Sequence, residues 1–276
     1  MAHPLRTTAL VLFVWVPVLG LVAPSYARAQ QPRHAARGRG SAAVDAAARR
    51  IATTDAAEIR AGLEELGVSA SPRAVGPIAD RIRRGLPPEL LDLAIDTLGA
   101  LGKPEAGPIL IELLDHRRAS ARAKAIAALL ACHARGADAA LSSALSDPDP
   151  RVRGAAATGI GQLGARSSLE PLFVALDRGV YEAATAIAQI AEPAEVPRLV
   201  ASMSRVPFDA ISPALSELLA RANVPESAKL DVVARVQALG TVEAKTFLDE
   251  LLATLPVERP TPLRRAVEAA TQRMAR

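Results

Sequence analysis

LLDLAIDTLGALGKPEAGPILIELLD (residues 90–115), ARAKAIAALLACHARGADAALSSALS (121–146) and VRGAAATGIGQLGARSSLEPLFVALD (152–177) start 31 residues apart and align without a gap. Ala94, Ala125 and Ala156 share a column, as do Leu98, Leu129 and Ile160, and then Leu101, Cys132 and Leu163. Gly102, His133 and Gly164 follow where a first helix should stop, the usual place for a glycine C-cap. A second helix carries Leu110, Leu141 and Leu172, then Leu114, Leu145 and Leu176. Within each helix these positions are three or four apart, so they form one apolar stripe.

Working outward, Gly76-Pro77-Ile78 lies 31 residues before Gly107-Pro108-Ile109. Downstream the period loosens: Val180–Met203 fits with a shorter first helix, and two further pairs fall near Asp209–Val236 and Val242–Arg273. A single pair cannot bury its own stripe, so neighbours must stack and share a core. The expected fold is all-α, a superhelix of about six to seven antiparallel helix pairs over residues 41–276, with the best register at 72–205 and a looser one at 206–276. Upstream, Ser41 is expected to cap a helix running to Ile51. Asp55 and Glu58 have capping-box spacing for the next one.

Asp149-Pro150-Arg151-Val152-Arg153, followed by Ala156, Ile160, Leu163-Gly164 and the second-helix leucines, resembles a HEAT repeat. It is similar in particular to the short repeats of phycobilisome lyases, D-x-x-V-R-x-x-A-x-x-A-L-G. The third repeat keeps Arg122 but lacks the Asp and Val. The resemblance implies an α-solenoid that binds proteins, or in some members a chromophore, and it implies no single activity. It also suggests that Arg122 and Arg153 bond to neighbouring turns.

The amino-terminal residues differ in kind. Arg6 precedes the uncharged run TTALVLFVWVPVLGLVA (7–23), and Ala27-Arg28-Ala29 stands ahead of Gln30. That is the pattern of a cleaved signal peptide over 1–29, with Ala27, Ala29 and Gln30 at the cleavage site. The run is shorter than the roughly 20 apolar residues of a spanning helix, and Pro17 and Gly20 interrupt it. No Cys follows it to carry a lipid. The expected mature protein is periplasmic or secreted, with no stable membrane anchor after cleavage. Residues 30–40, QQPRHAARGRG, are expected to form a flexible basic linker.

The chain has 33 basic and 29 acidic side chains, and two of the basic ones, Arg6 and Arg28, belong to the leader, so the net charge of +4 falls to +2. This near balance argues against a nucleic-acid partner. The aromatics beyond the leader are Phe173, Tyr181, Phe208 and Phe247.

No chemical constellation emerges. His34, His116 and His133 have no metal-ligand spacing and none adjoins a Glu. The HEAT-like deoxyhypusine hydroxylase pattern of His-Glu pairs is therefore missing. Cys132-His133 invites a nucleophile reading, but Cys132 occupies a core column and adjacent residues on a helix do not face one another. Gly159–Gly164 has the form G-x-G-x-x-G, yet it closes a helix where a dinucleotide site would open one. No catalytic, cofactor-binding or metal residue is assigned, and no cofactor is expected.

The remaining signal is periodic charge. Arg83-Arg84, Arg117-Arg118 and Arg178 follow successive second helices and would stack along one edge as a candidate interaction ridge, broken by Asp147 and Asp149. The expected function is a non-catalytic exported scaffold or adaptor that binds a protein partner of unknown identity on its concave helical face. The alternative is a lyase-like protein that binds a chromophore or small molecule. A specialised binding region is expected in the irregular C-terminal third or at the Arg-bearing turns.

Overall fold

The computed structural model describes residues 33–258 and 261–275, with side chains from residue 41 onward; the expected cleavage residues Ala27, Ala29 and Gln30 lie outside these. Among the described residues fifteen helices follow one another: α1 (Arg33–Ile51), α2 (Ala56–Val68), α3 (Val75–Arg83), α4 (Pro88–Leu101), α5 (Gly107–Glu112), α6 (Ala119–Ala131), α7 (Ala137–Ala144) and α8 (Pro150–Leu163). Then come α9 (Leu169–Asp177), α10 (Glu182–Ile190), α11 (Val196–Ala201), α12 (Phe208–Ala220), α13 (Glu226–Leu239), α14 (Val242–Thr254) and α15 (Pro262–Met274). Short 3-10 turns lead into α3, α5 and α9.

The apolar columns account for the packing. Ala94, Leu98, Ala125, Leu129, Ala156, Ile160, Leu110, Leu141 and Leu172 are each fully buried. The even-numbered helices α2 to α14 pack one against the next as one layer, and the odd-numbered ones form the other. This gives seven helix pairs, α2/α3 through α14/α15, with α1 laid over the open end against α2 and α3. Residues 206–275 continue the array, because α14 packs on α12 and α15 on α13.

Helix ends follow local chemistry. Asp55, Asp149, Thr241 and Thr261 cap N-termini with their side-chain oxygens. Gly102 and Gly164 end α4 and α8 at φ 59° and 64°, the left-handed region that glycine enters without cost.

Three expectations need correction. The linker over 30–40 is helical from Arg33 on, because Ala and Arg are good helix formers and extend a helix that Val44, Ala47 and Ile51 anchor in the core. Ser41 is therefore inside α1, and its Oγ accepts a hydrogen bond from Arg73 at 2.5 Å instead of capping. The capping box is half formed. Asp55 accepts from the Ala57 and Glu58 amides, while the Glu58 carboxylate takes Arg50 at 2.7 Å.

Candidate interaction surfaces

The seams between even-numbered helices set where the surface is closed. A Cβ added to Gly99 would stand 3.3 Å from Ala128 Cβ, and one on Gly161 would stand 3.0 Å from Ala186 Cα. Small residues thus bring α4 against α6 and α8 against α10. The G-x-G-x-x-G run is absorbed in this way: Gly159 and Gly161 serve helix packing, and Gly164 ends α8.

Cys132 and His133 separate as the columns require. Cys132 is fully buried, and its Sγ donates to the Leu98 carbonyl at 3.3 Å. Burial pushes the thiol pKa up, which opposes thiolate chemistry. His133 is exposed at φ 46°, holding the left-handed position that its counterparts fill with glycine. His34 is in α1, His116 follows α5 and His133 follows α6. Among the described residues no group of three or more His, Cys, Asp or Glu side chains gathers as metal ligands would.

The turn between α7 and α8 holds a buried ion pair. Arg122 Nε and Nη2 each donate to the Asp147 carboxylate at 2.7 Å, and Nη1 donates to the His116 carbonyl at 2.8 Å. Asp147 Oδ1 also accepts the Asp149 amide at 2.8 Å, and Arg153 donates to the Asp147 carbonyl at 2.8 Å. Burial alone would raise the Asp147 pKa; the Arg122 guanidinium and the Asp149 amide overcome it and hold the carboxyl below its ordinary value. Asp149 falls to about 2 because Arg151 and the first amides of α8 bond to it. Arg122 and Arg153 thus bond to neighbouring turns, as the resemblance suggests.

The edge residues divide into two groups. Arg83 pairs with Glu112 at 2.8 Å, Arg84 donates to the Asp80 carbonyl at 3.2 Å, and Arg118 grips the Asp92 carboxylate at 2.9 Å. Arg117 and Arg178 are exposed. Sequence reasoning missed that basic side chains tie successive repeats together: Arg83–Glu112, Lys124–Asp96 and Arg198–Glu170 join residues 28 or 29 apart. The signal was present, since one repeat less about one helical turn gives that spacing.

Three grooves open between same-layer neighbours. One of about 360 Å³ lies between α7 and α9, lined by Leu145, Val174, Glu170 and Arg178. A second of about 420 Å³ lies between α2 and α4, with Arg60, Glu64 and Glu89 on its walls. A third, of about 600 Å³, lies between α12 and α14 over Leu219, Phe247, Leu251 and Leu255, with Glu250 as its one charged lining residue. Here Phe208 and Phe247 meet edge to face at 5.7 Å, where α4–α6 and α8–α10 use glycine against alanine. Among the described residues no helix is long and apolar enough to cross a membrane.

A two-layer stack of helix pairs with grooves between like helices is an α-solenoid. Family models make it more specific. The HEAT repeats model matches residues 137–219, and the PBS lyase HEAT-like repeat model matches residues 93–116, so these stretches are similar to HEAT repeats. No curated protein sequence matches the chain. Among solved structures it is similar to a chain in a homology model of the full-length AP-3 complex in an intermediate open conformation. The TM-score is 0.55 at 13% identity, covering 85% of this chain and 50% of that one. This chain thus spans half the length of its AP-3 match. It is also similar to the CpcE–CpcF complex of phycocyanin lyase from Nostoc sp. PCC7120, with TM-score 0.46, 18% identity, and 92% and 100% coverage. A third similar structure is human deoxyhypusine hydroxylase in complex with glycerol, with TM-score 0.40, 15% identity, and 87% and 98% coverage. Of the three, the AP-3 likeness is the one that bears on the fold.

Proposed function

We propose that this protein is an exported scaffold that binds a protein partner along its helical surface and carries no catalytic group. The observation that supports it is an extended two-layer surface whose three grooves lie between neighbouring repeats, while the one cysteine is in the core. The export half of the reading rests on the leader pattern of residues 6–30. The test is pull-down and crosslinking of the purified mature protein against the cell envelope. The expected result is a specific protein partner and no turnover; absence of any partner together with turnover of a substrate would remove the reading.

A lyase-like chromophore protein is the second reading, favoured by the PBS-type repeat at 93–116. Pigment-binding absorbance with a Cys132→Ser control tests it. A shifted spectrum that depends on Cys132 supports it, and an unchanged spectrum for every pigment tried removes it.

A further inference from the structure

The grooves differ in charge. The α2–α4 groove contains its own cation, since Arg60 stands 3.9 Å from Glu89 across it. At the α7–α9 groove Arg178 lines one wall, and Glu170 is held by Arg198, whose guanidinium also lies 3.7 Å from the Phe173 ring centroid. The α12–α14 groove has no basic residue in its lining. Glu250 is its one charged lining residue, and among the described residues no cation pairs with it. Asp209 lies two turns before Ser216 on the same stripe of α12 and accepts a hydrogen bond from its neighbour's amide alone. The nearby Lys245 is held by Asp249 at 2.6 Å.

The floor of this groove is apolar and open. Leu219 and Phe247 are buried, whereas Leu251 and Leu255 keep part of their side chains exposed along the cleft. Apolar contact left open beside the unmatched Glu250 carboxylate is the complement of a segment that presents both leucine-like and Lys/Arg side chains.

We infer that the α12–α14 groove is a docking site for a cationic amphipathic segment of a partner protein, seated on Leu219, Phe247, Leu251 and Leu255 and held by Glu250. This inference rests on the scaffold reading and adds the site and the chemistry of its ligand.

The test is fluorescence anisotropy of the purified protein with a labelled Leu/Lys amphipathic peptide, its Leu/Glu counterpart and its Ser/Lys counterpart. The Leu/Lys peptide is expected to bind saturably and the other two weakly. Charge reversal at Glu250→Lys is expected to weaken binding by about tenfold. Ser216→Trp, which fills the groove from α12, is expected to do the same. Ala61→Trp in the α2–α4 groove is expected to leave binding unchanged. Glu250→Lys, at an exposed position, is the variant to read if a bulky one unfolds on circular dichroism. The inference is overturned if the Leu/Lys peptide does not bind, if either counterpart binds as tightly, or if the groove variants bind like the parent. Those outcomes leave the scaffold reading standing wherever a partner crosslinks to another face, and that reading falls separately if no partner crosslinks anywhere.

Discussion

Helices α4 to α10 and helices α12 to α15 follow the same plan with different side chains, and the difference decides where the molecule is closed. In the first region Gly99 meets Ala128 and Gly161 meets Ala186, so backbones approach and little space is left. In the second, Phe208 packs edge to face on Phe247 and the space beside the rings opens into the α12–α14 groove. The turns differ as well. Arg122, Asp147 and Arg153 bind the α7–α8 turn through a buried network. The last pair is held by Arg264 donating to the Leu252 and Leu255 carbonyls and by Glu226 accepting the Leu263 amide. A repeat array is a sum of unit stabilities and interface terms. Side-chain size at one seam can therefore create a binding cleft without disturbing the rest.

The strongest way to break the contrast is at the buried ion pair. Asp147→Ala leaves Arg122 buried without its carboxylate and is expected to cost about 3–5 kcal/mol in urea denaturation. Glu268→Ala, which removes the surface partner of Arg264, should cost less than about 1 kcal/mol. Next comes the seam. Gly161→Val drives a branched side chain into Ala186 and Gln189 and is expected to cost about 1–3 kcal/mol, whereas Ala220→Val on the wall of the open groove should stay within about 0.5 kcal/mol.

Smaller effects sharpen the turn chemistry. Asp149 has a folded pKa of about 2, below the ordinary aspartate value of about 3.9. A depressed carboxylate contributes stability above the unfolded value, and that contribution is lost as pH falls through the folded one. Asp149→Ala is therefore expected to lower the midpoint at neutral pH by less than Gly161→Val does. It should also flatten the loss of stability between about pH 4 and pH 2 in an acid titration followed by circular dichroism. The smallest change is a gain: His133→Gly relieves a left-handed residue and should raise stability by about 0.5–1 kcal/mol in thermal or urea melts.

Much of the fold was legible because the 31-residue period is a packing requirement written into the columns. It places Cys132 in the core and His133 at a helix end. The run from Arg33 was misread because Gly38 and Gly40 suggest a linker, while the alanines and arginines around them sustain a helix continued from its anchored end. The α12–α14 groove was legible only as a loss of period. A groove depends on the distance between two helices, and that distance is set by which residues meet: glycine on alanine in one seam, two phenylalanine rings in another. Single-sequence periodicity does not say which residues meet across a seam. The five edge arginines show the same limit, since their charges are visible in sequence but the carboxylates that engage Arg83 and Arg118 lie 29 and 26 residues away.

The most direct test places a photo-crosslinking residue in the native cell at Ser216, Ala61 or Val174, one position for each groove. The account predicts crosslinks to a partner protein from Ser216 and few or none from Ala61 and Val174. Crosslinks confined to Ala61 or Val174, or none from any of the three, would contradict it.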